Sequence, residues 1–261
     1  MTLPDVTADI QLAANEGNTF SLDQDSAVSA EIEIQDPNFE YRGCGNWLTP
    51  VSGTFKTGDA IFRGRDANGW FFDKLWIEGS VDPIGIAVFM PNSHLPGPVF
   101  KNTILKNLGH ADPVHFGCDG MIVENYVYTE NTPGIHFDGL VGGSADVSPK
   151  NVKIKNAVST GTLEIDSSMD GGYIEGSTFT DCLIGVSVGP ESWNGHKWKH
   201  NRFGPRPGQP VFQFSPAPSG RKVGGDWTIE DCTFDLSGGG IINHPELFAG
   251  IWGKGNTPAT I

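Results

Sequence analysis

The sequence predicts an all-β solenoid in which short strands stack turn upon turn, and three observations predict it. Apolar and polar residues alternate in many short runs closed by Gly, Asn, Asp or His, the pattern of strands and turns. Two series of such runs recur, each with a mean spacing of about 25 residues, inside the roughly 20–50-residue range of repeat architectures. Beyond residue 17 no segment carries a helical period.

Composition narrows the function classes. The chain has 261 residues with 35 Gly and 18 Pro, dispersed among apolar runs, which signals many turns rather than disorder. Its formal net charge is −14, so no basic nucleic-acid footprint exists and no nucleic-acid partner is expected. No apolar run approaches the roughly 18 residues of a spanning helix, so no membrane insertion is expected. Residues 1–17 lack a basic n-region and an apolar h-region, so no signal peptide is expected in this chain. Cys44, Cys118, Cys182 and Cys232 form no CxxC and read as buried free thiols.

In chain order, residues 1–17 read as a loose lead-in. The runs Thr19–Leu22, Ala30–Ile34 and Phe39–Gly45 then read as strand, turn and strand. The first repeating series comprises Trp76-Ile77-Glu78-Gly79, Ile104-Leu105-Lys106-Asn107, Ile122-Val123-Glu124-Asn125, Lys153-Ile154-Lys155-Asn156, Tyr173-Ile174-Glu175-Gly176, Lys197-Trp198-Lys199-His200 and Thr228-Ile229-Glu230-Asp231. Its terminal residues suit a tight bend, since Asn and Gly tolerate positive φ. The second series comprises Ile86–Val88, Val114–Phe116, Ile135–Phe137, Leu163–Ile165, Val186–Val188 and Phe212–Phe214. Stacked units of this kind share one continuous core. The rival is an antiparallel sandwich or propeller, kept open by Asp119-Gly120, Asp138-Gly139 and Asp170-Gly171.

These strands and Asn/Gly bends, with Phe39–Gly45 and Asp66–Gly79 as early turns, resemble the right-handed parallel β-helix, or pectin-lyase-like, superfamily over roughly residues 18–245. The resemblance implies a single-stranded right-handed parallel β-helix of about nine coils, of the kind used by polysaccharide lyases, glycoside hydrolases and phage tailspikes. The expected organisation is one domain over 1–261, with lead-in 1–17, coils 18–245 and a C-terminal cap or tail 246–261.

Strand alternation then groups candidate chemistry. With Val114/Phe116, Ile135/Phe137 and Leu163/Ile165 inward, His115, His136 and Glu164 fall in one outward column. Asp138 and Asp166 match one another one step along, and His110 and Asp112 enter the first of these strands. Stacked carboxylates about 5 Å apart cannot both ionise freely, which supplies a proton donor and an acceptor together. The candidate catalytic set is therefore His115, His136, Asp138, Glu164, Asp166 and Asp112. Hydrolysis would use the carboxylates as acid and base; elimination beside a uronate would use a His base. Residues Gly109–His115 are also similar to the Tyr-Gly-x-Asp-Pro-His motif of alginate C5-epimerases, without the Tyr and with Val114 before the His. That likeness implies an acid/base role for Asp112 and His115.

Trp193 and His196 lie in an aromatic, basic run that includes Lys197. Stacking of Trp193 on a sugar ring, with Lys197 meeting an anionic group and His110 and Arg202 adding contacts, forms the candidate substrate-binding set. Trp198 falls on an inward anchor and reads as core. No metal ligand set is assigned and no cofactor is required; calcium is the cation expected if the reaction is elimination. The leading expectation is cleavage of a polysaccharide by hydrolysis or elimination, with uronate C5-epimerisation as a further reaction class. The alternative is a non-catalytic phage or virion spike or fibre subunit that binds glycans, with a homotrimer as its assembly. Either role places the protein outside cells or on a virion.

Overall fold

The computed structural model describes residues 2–56, 59–64, 69–79, 86–106, 108, 114–129, 135–137, 151–159, 163–165, 171–182, 184–186, 197–205, 212–214, 228–235, 237 and 259–260. Helix α1 (Thr7–Glu16) precedes a run of short strands. The first turn is β1 (Thr19–Ser21), β2 (Ser26–Val28) and β3 (Ile32–Ile34); the second is β4 (Glu40–Arg42), β5 (Trp47–Pro50) and β6 (Ala60–Gly64). Next come β7 (Phe71–Asp73), β8 (Trp76–Glu78) and β9 (Ile86–Pro96), then β10 (Val99–Lys101), β11 (Ile104–Lys106) and β12 (Val114–Asp119). They are followed by β13 (Ile122–Glu124), β14 (Val127–Tyr128) and β15 (Ile135–Phe137), and by β16 (Lys153–Lys155), β17 (Val158–Ser159) and β18 (Leu163–Ile165). The last turns hold β19 (Tyr173–Glu175), β20 (Thr178–Cys182), β21 (Ile184–Val186), β22 (Lys197–Lys199), β23 (Arg202–Pro205), β24 (Phe212–Phe214), β25 (Thr228–Glu230) and β26 (Thr233–Phe234); β27 (Ala259–Thr260) closes the chain.

Every third strand joins the same sheet. The first sheet runs β1-β4-β7-β10-β13-β16-β19-β22-β25, the second β2-β5-β8-β11-β14-β17-β20-β23-β26-β27, and the third β3-β6-β9-β12-β15-β18-β21-β24. All described pairings are parallel except β26–β27, which is antiparallel. The chain is an all-β parallel β-helix. The sandwich and propeller alternatives fall with the pairing: Gly120 has φ 70° and Gly171 φ 66°, but they link strands of different sheets and make no hairpins.

The two predicted series resolve into three sheets. Ile77 and Leu105 belong to β8 and β11 of the second sheet, whereas Val123, Ile154, Ile174, Trp198 and Ile229 belong to the first. The true first-sheet partners in those turns are Phe72 and Phe100. Both strand types have an apolar centre flanked by outward residues, so spacing alone does not separate them. In the other series Val186, not Val188, is level with Ile165.

The corner between first and second sheets is the most regular feature. A left-handed residue recurs there in each turn from the second onward: Cys44, Lys74, Asn102, Asn125, Asn156, Gly176, His200 and Asp231, with φ between 49° and 60°, and Gly45 beside Cys44 has φ 90°. Asn adopts this conformation more readily than most residues. The asparagines also bond along the axis. Asn102 Nδ2 donates to Asp73 Oδ1 at 2.9 Å, Asn125 Nδ2 to Asn102 Oδ1 at 3.0 Å, and Asn156 Nδ2 to Asn125 Oδ1 at 3.1 Å. Corner backbone groups are satisfied by the next turn, as in Asn102 N to Glu124 O and Asn125 N to Lys155 O.

Inside, like residues stack. Phe72 and Phe100, paired in register, lie 4.9 Å apart at 5°. Phe179, Phe203 and Phe234 form a second stack with centroids 5.7 and 5.3 Å apart. Trp198 is buried, as its anchor position predicts. Of the described thiols, Cys232 is buried and free, its pKa pushed up chiefly by burial; Cys44 is free but exposed, because it occupies an outer corner rather than the core. Cys118 and Cys182 lie on strands whose side chains are outside the described set.

The solenoid end at the N-terminus is covered by elements the sequence reading of 1–17 does not contain. Ile10 and Ala14 of α1 are buried. Gln11 Nε2 donates to Glu33 O and Glu33 N donates to Gln11 Oε1, both at 2.8 Å. One side-chain amide thus stands in for a strand at the edge of β3. Val6 N donates to Ala27 O, and Ala27 N to Pro4 O, along the edge of β2. At the far end β27 pairs with β26. Covered edges do not template further pairing. No described helix is long and apolar enough to cross a membrane.

The outer face of the first sheet alternates charge along one column: Arg42, Asp73, Lys101, Glu124, Lys155, Glu175, Lys199 and Glu230 are successive register partners. Lys101 and Glu124 are 3.5 Å apart, and Lys199 pairs with Glu230. The Lys199 ammonium bonded to Glu230 holds that carboxyl below its usual range.

Two stability predictions follow from these ladders. Asn125→Ala is expected to lower stability by about 1–2 kcal/mol through a left-handed alanine and lost amide bonds, and Asn125→Gly by clearly less; urea midpoints measure both, and equal losses would contradict the conformational part. Glu124→Lys puts like charge beside Lys101 and Lys155 and is expected to cost about 1 kcal/mol at low ionic strength. Salt should recover most of that loss; a salt-independent loss would mean packing, not charge.

Candidate functional site

The third sheet gathers the predicted column. Ile32 and Ile34 are buried while Glu33 between them is half-buried, and Phe62 and Gly64 are buried while Arg63 is half-buried. That fixes which alternate positions of this sheet lie on its outer face. At the outer level, Glu33 is partnered with Arg63, Arg63 with Phe89, Phe89 with His115, His115 with His136, and His136 with Glu164. His115, His136 and Glu164 therefore occupy one register column on three successive turns. At about 4.8 Å per strand the three levels span about 9.6 Å of the axis.

The backbone reason is the apolar pairing beneath. Phe116 is level with Phe137, and Ile135 and Phe137 are level with Leu163 and Ile165. A one-residue slip would exchange these positions with the polar ones. The column thus alternates along each strand with a column of apolar residues.

Arg63 and Glu33 belong to this column and were not singled out in the sequence. The Arg63 Nε donates to Glu31 Oε1 at 2.7 Å, and Glu31 Oε2 accepts from Ala60 N at 3.0 Å. Both side chains are partly shielded, at 20% and 28% exposure. Aligning Ile32-Glu33-Ile34 with Phe62-Arg63-Gly64 as earlier members of the second series was the available signal.

Connection lengths single out the same sheet. From the third turn onward the first-to-second-sheet corner takes two residues, such as Lys74-Leu75 and Asn156-Ala157. The connections entering and leaving the third sheet vary. Residues 107–113 precede β12, residues 129–134 precede β15, and residues 138–152 and 166–172 follow β15 and β18. Binding and catalytic groups concentrate on variable loops held by a rigid scaffold.

The other candidates distribute differently. Lys197 lies on the outer face of the first sheet, exposed. Arg202 lies on the second sheet, where its guanidinium pairs with Asp235. Neither is on the sheet that carries the histidine column. Asp112, Asp138, Asp166, His110, Trp193 and His196 lie outside the described residues. Among the described residues no group of three or more His, Cys, Asp or Glu side chains converges to hold a metal ion.

Two imidazoles and one carboxylate at successive levels are suited to moving a proton, because imidazole titrates near pH 6.5 and a neighbouring carboxylate can receive or return the proton. Comparison with known proteins finds no matching family model, no matching curated protein and no matching solved structure.

Proposed function

We propose that this protein is a carbohydrate-active member of the pectin-lyase-like β-helices that cleaves an acidic polysaccharide laid along the outer face of the third sheet. The observation that carries the reading is the register column His115–His136–Glu164 on the sheet bordered by variable connections on both sides. The column sets two imidazoles on adjacent strands beside Glu164, an arrangement that supports proton abstraction by histidine.

In this reading His136 removes the proton on the carbon beside a uronate carboxylate. The electron pair forms the C4–C5 double bond, the bond from C4 to the glycosidic oxygen breaks, and the departing oxygen takes a proton from His115 or Glu164. Arg63 stands three strand steps, about 14 Å, from His136 and is bonded to Glu31, so it takes no part in this step. Calcium, which elimination invokes, finds no converging ligand set among the described residues, and no step passes through it.

The test is digestion of acidic and neutral polysaccharides by the wild type, His136→Asn and Glu164→Gln. Elimination creates ultraviolet absorbance from the unsaturated uronate. Each substitution is expected to lower turnover by roughly 10²-fold or more with unchanged thermal melting. New reducing ends without absorbance would assign hydrolysis instead. Glycan binding without cleavage, together with a trimeric mass in solution, would overturn the enzyme reading in favour of a spike or fibre subunit.

A further inference from the structure

The outer face of the first sheet carries a second column beside the alternating one. Its register partners are Thr19, Glu40, Phe71, Val99, Ile122, Lys153, Tyr173, Lys197 and Thr228. Its carboxylate, Glu40, is bonded to Arg42 at 2.8 Å and lies four strands from Lys153. Tyr173, half-buried, thus sits directly between Lys153 and Lys197. Lys155, one alternate position away on β16, is exposed.

Lys153 and Lys197 have no carboxylate as a register neighbour, whereas Lys155 lies between Glu124 and Glu175 in the alternating column. The ion pairs described on this face are Arg42–Glu40, Lys101–Glu124 and Lys199–Glu230. Lys153, Lys155 and Lys197 make no ion pair among the described residues. The chain has 31 acidic residues for 17 Lys and Arg, and among the described residues Lys153 and Lys197, on either side of one aromatic ring, differ from Lys101 and Lys199 of the adjoining column in having no ion-pair partner.

We infer that Lys153, Tyr173 and Lys197 form a binding site for an acidic polysaccharide whose chain runs parallel to the solenoid axis. The interstrand step of about 4.8 Å is close to the length of one pyranose unit. Three successive levels therefore present cation, ring and cation to three successive sugars. The tyrosine offers an apolar face with a polar tip to the central sugar. The two ammonium groups meet carboxylates or sulfates on its neighbours. The site shares its ligand class with the proposed function but lies on a different sheet, and it stands even if the third sheet is inert.

The test uses the full chain carrying His136→Asn, so that ligand is not consumed, and measures binding of polygalacturonate, with dextran as neutral control and inorganic polyphosphate as a polyanion without sugar. Binding of polygalacturonate but not dextran is expected. Lys153→Gln and Lys197→Gln should each weaken it about fivefold, and Lys→Arg at either position should stay within about twofold. Tyr173→Ala should weaken polygalacturonate about fivefold and polyphosphate by less than about twofold. Lys101→Gln, taken from the Glu124 pair, should change neither. Unchanged affinity in the Lys153 and Lys197 variants overturns the proposal. An equal loss with Lys101→Gln also overturns it, as general charge, and an equal effect of Tyr173→Ala on both polymers overturns it as a site without sugar recognition. Turnover by the chain with His136 intact is scored separately, so cleavage with unaltered patch binding sinks only this inference, and patch-dependent binding without cleavage sinks only the catalytic one.

Discussion

The left-handed corner between the first and second sheets is the constraint on which the remaining structure depends. It reverses no strand; from the third turn onward it turns the chain from one sheet to the next in two residues. Because the corner length is fixed, each first-sheet strand and the second-sheet strand after it move as one unit. The amide chain Asp73–Asn102–Asn125–Asn156 then ties successive units together along the axis. Its end has a local cause. Gly176 occupies the following corner without a side chain to extend it, and a Cβ there would stand 3.0 Å from Asn156 Oδ1.

Register set at that corner propagates outward and inward. Inward, it puts Phe72 over Phe100 and Phe203 over both Phe179 and Phe234. Outward, it puts opposite charges on successive levels of the first sheet. Individual exposed pairs contribute little. A column that alternates without a break across eight turns acts on specificity rather than on total stability, since a displaced strand would meet a mismatched neighbour. The same need for correct neighbours explains the two ends, where Gln11 and residues 4–6 occupy strand edges that have no further turn to pair with.

The solenoid and the histidine column were legible in the sequence for one reason: both follow from period-two burial repeated at a fixed interval. The alternation of Val114/Phe116, Ile135/Phe137 and Leu163/Ile165 with His115, His136 and Glu164 is visible in the sequence, and the register puts the three polar residues in one column. The bends at Asn125, Asn156, Gly176, His200 and Asp231 were legible because residue type and conformation coincide there. Lys74 adopts the same conformation without the residue preference, and there the series slipped onto Ile77; it also slipped onto Leu105, although Asn102 occupies that corner, because Ile104-Leu105-Lys106-Asn107 carries the same apolar-to-polar pattern. Helix α1 has only two fully buried residues, Ile10 and Ala14, too few to mark a helical period. The separation of Lys197 from Arg202 depends on which sheet each strand joins, a matter of corner length that a run of charged and aromatic residues does not reveal.

Fixed and variable corners also divide the surface into faces of different use. From the third turn onward the two-residue corner leaves no room for loops along the side of a sheet that it borders, and the amide ladder runs only through these short corners. The first and second sheets each have one such border. The third sheet alone lies between two variable connections, so it alone can be walled on both sides without disturbing the register below. The register column His115–His136–Glu164 lies on that sheet. The first sheet, bordered on one side by the fixed corner, carries Tyr173 between Lys153 and Lys197. The difference between the two faces thus traces to which corner of the repeat varies in length.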